Sequence, residues 1–311
     1  MSETLGPADS ADSADSADSA DSATVVIRGL NPATYRPIGL SPELKADDQG
    51  KFPTSRWPLS QADGKTWDAA SNAPTQFPRN AWSSGLYSFK ILGEFVSAKI
   101  TDGSQELTWQ SYGPQLSDLL EAAKQEQASE LEELRSLIKT RSGVMAEALH
   151  QRANIIDYWR GIMMFNRSSH RRTYDLVQAA IRVGQFQAMH YKLVFQRPRP
   201  SQLTPVLMPP IDSPPHASYP SGHATESYLV ALCLEEVRPD LKANTITLKN
   251  NRTVTPIMAV ADRIARNREV LGVHYRSDTT AGRKLTVFTK QLLDECASFV
   301  ELRDEAIEEW N

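Results

Sequence analysis

The 311-residue chain has two cysteines, no long hydrophobic run and no excess of positive charge. Two cysteines, Cys233 and Cys296, cannot build a disulfide framework in a chain of this length. Cys233 falls in the apolar run 228–234 and reads as a small buried hydrophobe. A membrane-spanning helix needs about 20 mostly apolar residues. The apolar stretches 227–234 and 256–261 are far shorter, so no membrane span is expected. The N-terminus lacks a basic region followed by an apolar stretch, so a soluble, cytoplasmic protein is expected. With 34 basic and 38 acidic residues, the net charge of −4 argues against a nucleic-acid partner held by phosphate neutralisation. No Walker or dinucleotide-binding glycine pattern accompanies a strand. No HExxH, paired-cysteine or GxSxG pattern is present either, so zinc-protease and serine-hydrolase chemistry lack their motifs.

What is present suits a folded core, with 40% hydrophobic and 23% charged residues. Residues 8–22 repeat Ala-Asp-Ser, offering nothing apolar beyond alanine, and 1–23 are expected to form a disordered tail. Residues 24–110 are rich in Pro, Gly, Trp and Ser and read as an irregular region packed on the core, with one short strand at 24–28. Within it, 87–100 reads as a strand or a short helix, and Trp57, Trp67, Trp82 and Trp109 read as packing residues. Residues 111–311 form the expected helical catalytic domain, giving an all-α fold class. Leu116, Leu119, Leu120 and Ala123, then Leu131, Leu134 and Leu137, recur at helical spacing through a leucine-rich helix at 114–140. Further helices are expected at about 144–165, 172–195, 222–237, 254–273 and 279–309, with Ser221 and Asp278 preceding helices as N-cap types. Eight prolines make 197–221 a long non-helical loop, a length that usually signals function or disorder.

Three segments around that loop carry chemistry. In the first, Lys192 and Arg199 are seven apart, close to two helical turns, and so share a face. Pro198 and Pro200 then turn the chain out of the helix. In the second, Ser221-Gly222-His223 opens a helix whose unbonded amides and dipole attract anions. His223 projects from its first turn, able to exchange protons near neutral pH. In the third, Arg268 precedes His274, and Asp278 follows four residues later, within reach of one ring nitrogen. Such a carboxylate fixes the tautomer and leaves the other nitrogen nucleophilic or metal-binding. Each segment alone also fits a plain role: a solvated basic helix end, a capped helix start, a helix-terminal His–Asp pair. His150, His170 and His190 read as structural or surface residues.

Taken together and in this order, the segments resemble the superfamily that joins type 2 phosphatidic acid phosphatases, bacterial non-specific acid phosphatases and vanadium-dependent haloperoxidases. The family pattern Lys-x6-Arg-Pro, Pro-Ser-Gly-His, Ser-Arg-x5-His-x3-Asp is met by Lys192…Arg199-Pro200, Pro220-Ser221-Gly222-His223 and Arg268…His274…Asp278. Asn267 stands where the family usually has serine. The motifs span 192–278; nothing in 1–110 contributes. The resemblance implies the helical bundle of the acid phosphatase/haloperoxidase type. It also implies that Lys192, Arg199 and Arg268 neutralise the oxygens of phosphate or vanadate, with Ser221 and the Gly222 amide as donors. His274 would become phosphohistidine or the axial ligand of vanadate, Asp278 would orient it, and His223 would be the acid/base.

Phosphate and vanadate share a shape, so the motifs alone do not choose between hydrolase and peroxidase. Neither the spanning helices of the lipid phosphatases nor the leader of the exported acid phosphatases is expected here. His216, seven residues before His223, resembles a second histidine near the halide in vanadium bromoperoxidases and iodoperoxidases. The expectation is therefore a vanadium haloperoxidase-like enzyme, with vanadate as cofactor, acting on hydrogen peroxide and on bromide or iodide before chloride. The alternative is a soluble phosphomonoesterase or diphosphatase working through phosphohistidine without a cofactor. A non-catalytic oxyanion-binding protein would not need the acid/base His223. The expected partners are small molecules; homo-oligomerisation is left open.

Overall fold

A computed structural model describes residues 79–248 and 251–311. The expected tail at 1–23, the strand at 24–28, and Trp57 and Trp67 lie outside the described residues. Among the described residues, a 3-10 turn at Arg79–Ala81 precedes α1 (Ser84–Ser97), a helix whose buried Tyr87, Ile91 and Phe95 recur four apart. Of the region expected to be irregular, 24–110, the structure describes only 79–110, and there the expectation is corrected: α1 is followed by a hairpin, β1 (Ile100–Asp102) and β2 (Gln105–Leu107), paired Ile100 to Leu107. The 87–100 ambiguity resolves as helix because the apolar spacing is four rather than two. Ser84–Asn311 falls in one compact unit.

The expected helix at 114–140 is two helices, α2 (Gly113–Gln125) and α3 (Gln127–Leu137), meeting at Glu126. The expected 144–165 helix is also two, α4 (Arg141–Ala153) and α5 (Ile156–Met163). Asn154 makes the break: it leaves helical geometry, and its Oδ1 accepts from the amides of Ile156 and Asp157. The long α6 (Arg171–Phe195) ends where Gln196 turns left-handed, with Pro198 just beyond. The 197–221 loop is not wholly non-helical. It contains α7 (Pro200–Leu203) and a 3-10 turn at Pro205–Leu207, because a proline tolerates the first position of a turn.

Helix α8 (Gly222–Val237) is buried on every face, which marks it as the central rod of the bundle. Then come α9 (Pro239–Ala243), the hairpin of β3 (Ile246–Thr247) with β4 (Thr253–Val254), α10 (Pro256–Val270), α11 (Arg276–Leu293) and α12 (Ala297–Glu308). The expected 279–309 helix is thus broken at 294–296. There α12 docks on α1, with Glu94 accepting from the Ser298 amide and hydroxyl. Helices α6, α10 and α11 surround α8, and α1 and α12 pack on α6. Helix α6 comes close to α8 at Gly184, where a Cβ would lie 3.1 Å from the Cα of Glu226. The core between them is made by residues such as Leu176, Val183, Leu229, Cys233, Ile264 and Leu292. Trp109 packs on Phe186 and His190, while Trp82 is exposed. The fold is all-α, and no helix among the described residues is long and apolar enough to cross a membrane.

Candidate active site

The three sequence segments converge at the start of α8. Lys192 arrives from the last turn of α6. Arg199 arrives from beyond its end, so the two meet because the chain reverses at Gln196 rather than along one helix face. Ser221 caps α8: its Oγ accepts from the Ala224 amide at 3.4 Å, as its residue type predicts. Arg268 comes from the last turn of α10. Gly272, at φ +78, turns the chain sharply and sets His274 between α10 and α11. Asp278 is not the residue before α11. It lies in the first turn and accepts from the Tyr275 amide at 3.0 Å, which satisfies a helix-start donor from inside the helix.

A cavity of about 30 Å³ lies among these residues, walled by Lys192, Arg199, Gly222, His223, Arg268 and His274, together with His216 and Glu226. A water needs roughly 10–15 Å³ by the same measure, so the enclosed space suits a small anion; a larger hollow shares its Lys192, Arg199, Pro214 and His216 wall. Ser221 does not form its wall, and Asp278 stands behind His274. His150, His170 and His190 are elsewhere: His150 bonds Tyr158, His170 stacks on Trp310 and His190 packs on Trp109. Among the described residues, no group of three or more His, Cys, Asp or Glu side chains is placed to hold a metal ion.

Three cations, Lys192, Arg199 and Arg268, are each only 2% exposed. The Lys192 ammonium donates to the carbonyls of Ala217 (2.8 Å) and Ser218 (2.9 Å). Arg199 donates to the carbonyls of His216 (3.0 Å) and Val273 (2.8 Å). Arg268 donates to the carbonyl of Ala148, while its buried Nε has no partner. Burial pushes the Lys192 ammonium well below its usual range, and neighbouring Arg199 adds to this. Burial also brings Arg268 down to about 10. Buried charge of one sign is costly unless compensated, so the arrangement favours an incoming anion. Gly222 supplies the room: a Cβ there would lie 3.7 Å from a Glu226 oxygen and 3.9 Å from the Lys192 side chain.

The histidines have defined tautomers. The His223 Nε2 lies 3.1 Å from the carbonyl of Gln151, which can only accept, so Nε2 carries the hydrogen and Nδ1 is the free base. The His274 Nδ1 lies 3.0 Å from Asp278 Oδ2 and donates to it, leaving the Nε2 lone pair 3.3 Å from an Arg199 nitrogen. Burial holds His223 and His274 well below the usual imidazole range; Arg268 adds to this at His223 and Arg199 at His274. His216 takes a hydrogen bond on Nδ1 from Arg199 at 3.0 Å, and burial with the nearby Lys192 and Arg199 charges brings it down to about 4. All three are neutral near pH 7 before any anion enters.

Sequence reasoning missed a set of supporting groups. Arg197 is buried and bridges Asp278 Oδ1 (2.7 Å) and Glu130 (3.1 Å), with its guanidinium 3.7 Å over the Tyr275 ring. Ser218 donates to Asp278 Oδ2. Burial alone would raise the Asp278 carboxyl. The bond from His274, the Arg197 charge and the Ser218 hydroxyl instead hold it well below the usual carboxylate range. Glu226 was also missed, although its place four residues after Gly222 on one helix puts it on the same face.

Residues 176–293 match the model of the PAP2 superfamily. That stretch contains every motif residue from Lys192 to Asp278 and runs from α6 to the end of α11. Members of the superfamily are phosphatases or haloperoxidases, and the all-α fold described above agrees with theirs. No curated protein matches the chain.

Proposed function

We propose that the chain is a vanadium haloperoxidase-like enzyme that oxidises bromide or iodide with hydrogen peroxide. The observation that carries this reading is His216. It forms part of the cavity wall, is held by Arg199 through Nδ1, and is kept neutral by burial and by two nearby cations. A neutral imidazole edge beside one guanidinium and one ammonium group suits a halide. Ile211, Pro214 and Val273 give the cavity an apolar side that suits a halide.

The residues present fit vanadate. Lys192, Arg199 and Arg268 would hold its oxygens, the orphaned Nε of Arg268 gaining a partner; the room beside Gly222 would take an oxygen near the first-turn amides of α8. His274 Nε2, freed by the bond from Nδ1 to Asp278, would be the ligand nitrogen. When bound, vanadate supplies the activation of peroxide toward halide attack. His223 receives and returns the peroxide proton at Nδ1, because Nε2 is held by the Gln151 carbonyl. Fixed donors of this kind are usually the largest catalytic contribution.

The His274–Asp278 pair supports a second reading, a phosphatase. There the Nε2 lone pair forms a bond to phosphorus as the ester P–O bond breaks, and protonated His223 gives its proton to the leaving alkoxide. Water then attacks the P–N bond, His223 takes its proton, and phosphate leaves. Purified protein decides between the readings. One portion is assayed with orthovanadate, peroxide, bromide and a dione acceptor, the other with a chromogenic phosphate ester. Halogenation dependent on vanadate is expected; brisk ester cleavage with none would overturn the peroxidase reading. His216→Ala should lower halide oxidation about tenfold or more through loss of a positioned group and leave any ester cleavage nearly intact.

A further inference from the structure

One wall of the cavity is a carboxyl. Glu226 lies on α8 one turn after Gly222 and is 5% exposed. Its Oε1 approaches the space beside Gly222, and its Oε2 is buried with no partner. The ionisable groups that face it are Lys192 and Arg182, both on α6, which packs closely against it at Gly184. The remaining ionisable wall groups are Arg152, Arg199, His216, His223, Arg268 and His274. An ionised carboxylate here would repel the anion that the three cations attract. A protonated carboxyl is instead a donor, and its unpartnered oxygen is one an anion could satisfy.

We propose that Glu226 takes up a proton from solvent when the cavity binds a tetrahedral dianion and donates it as a hydrogen bond to an anion oxygen. Anion binding is thereby coupled to proton uptake at this side chain. No bond in the anion forms or breaks, and the proton comes from bulk buffer. Burial pushes the Glu226 carboxyl up to about 7, against the pull of Lys192 and Arg182, so the free protein has a proton to gain above that pH. The inference rests on the oxyanion-site reading above.

The probe is sulfate, which stays a dianion between about pH 6 and 9 and so adds no titration of its own. Binding to the full chain is measured by calorimetry across that range, and at the upper end in buffers of different ionisation enthalpy. The dissociation constant of the wild type should rise about tenfold per pH unit above 7, with proton uptake read from the buffer dependence. Glu226→Gln, which keeps a donor and loses the titration, should bind as the wild type does at about pH 6, tighter at about pH 8.5, and without proton uptake. A slope or proton uptake that persists in Glu226→Gln assigns the coupling to other wall groups, Lys192 or the histidines, and overturns the inference; so does a wild type without proton uptake. Should Glu226→Gln not fold, Glu226→Met must also lose the uptake. A wild type that binds no sulfate at any pH overturns the oxyanion-site reading itself, and the inference with it.

Discussion

The two walls of the cavity are built on opposite terms. On the His274 side, the groups that hold the imidazole are partnered: His274 on Asp278, Asp278 on Arg197, Ser218 and the Tyr275 amide, and Arg197 on Glu130; the buried atoms without partners there, Arg197 Nε and Tyr275 Oη, belong to residues that do not line the cavity. On the side of Gly222, Glu226 and Arg268, buried polar atoms are left without partners: Arg268 Nε and Glu226 Oε2. The first wall is a network that fixes one nitrogen lone pair. The second is satisfied only when something enters. A buried polar group without a partner costs about 1–3 kcal/mol, so the open wall stores a drive to bind, and the closed wall stores order.

The sharpest way to break this contrast is at the lone pair. His274→Ala should abolish turnover in either activity, by about a thousandfold or more, because no other residue offers the nitrogen; near-normal rates in a steady-state assay would refute the assignment. Next, Arg197→Met strips the closed wall of its buried cation and leaves Glu130 and Asp278 uncompensated. Denaturant unfolding should show a loss of about 3–5 kcal/mol, and an unchanged midpoint would mean the network is not structural. Arg268→Met probes the open wall. Turnover should fall about a hundredfold, or about 3 kcal/mol, with unfolding stability barely altered; equal losses of both would erase the distinction between the walls.

The smallest effect is expected at Glu226, and its sign is diagnostic. The folded carboxyl titrates at about 7, above the unfolded value, so its contribution to stability is full below the unfolded value and is lost as pH rises through about 7. Glu226→Gln should therefore stabilise the anion-free protein at about pH 8 by on the order of 2 kcal/mol, read as a raised melting temperature, and change little at about pH 5. A lower melting temperature at pH 8 would place an ionised, paired carboxylate there instead.

The sequence foretold one part of this arrangement better than the other. The convergence of Lys192, Arg199, Gly222, His223, Arg268 and His274 on one cavity, with Asp278 behind His274, was legible because the motif spacings survive folding. The helical class was legible from apolar periodicity. Helix ends were less so: Asn154 and the docking of Ser298 on Glu94 break patterns that periodicity alone would run through. The pairing of Arg197 with Glu130 bridges 67 residues and leaves no local signal. Ser221 shows where residue type alone does not decide: the hydroxyl expected to meet the anion caps α8 and does not form the cavity wall. Glu226 could have been found by extending the Gly222 face one turn.

The central claim is that a tetrahedral oxyanion binds with its central atom at His274 Nε2. Crystals of the protein soaked in orthovanadate, with diffraction recorded on either side of the vanadium absorption edge, test it most directly. The account predicts an anomalous peak within bonding distance of His274 Nε2, ringed by Lys192, Arg199 and Arg268. A peak elsewhere, or an empty cavity at saturating vanadate, would contradict it.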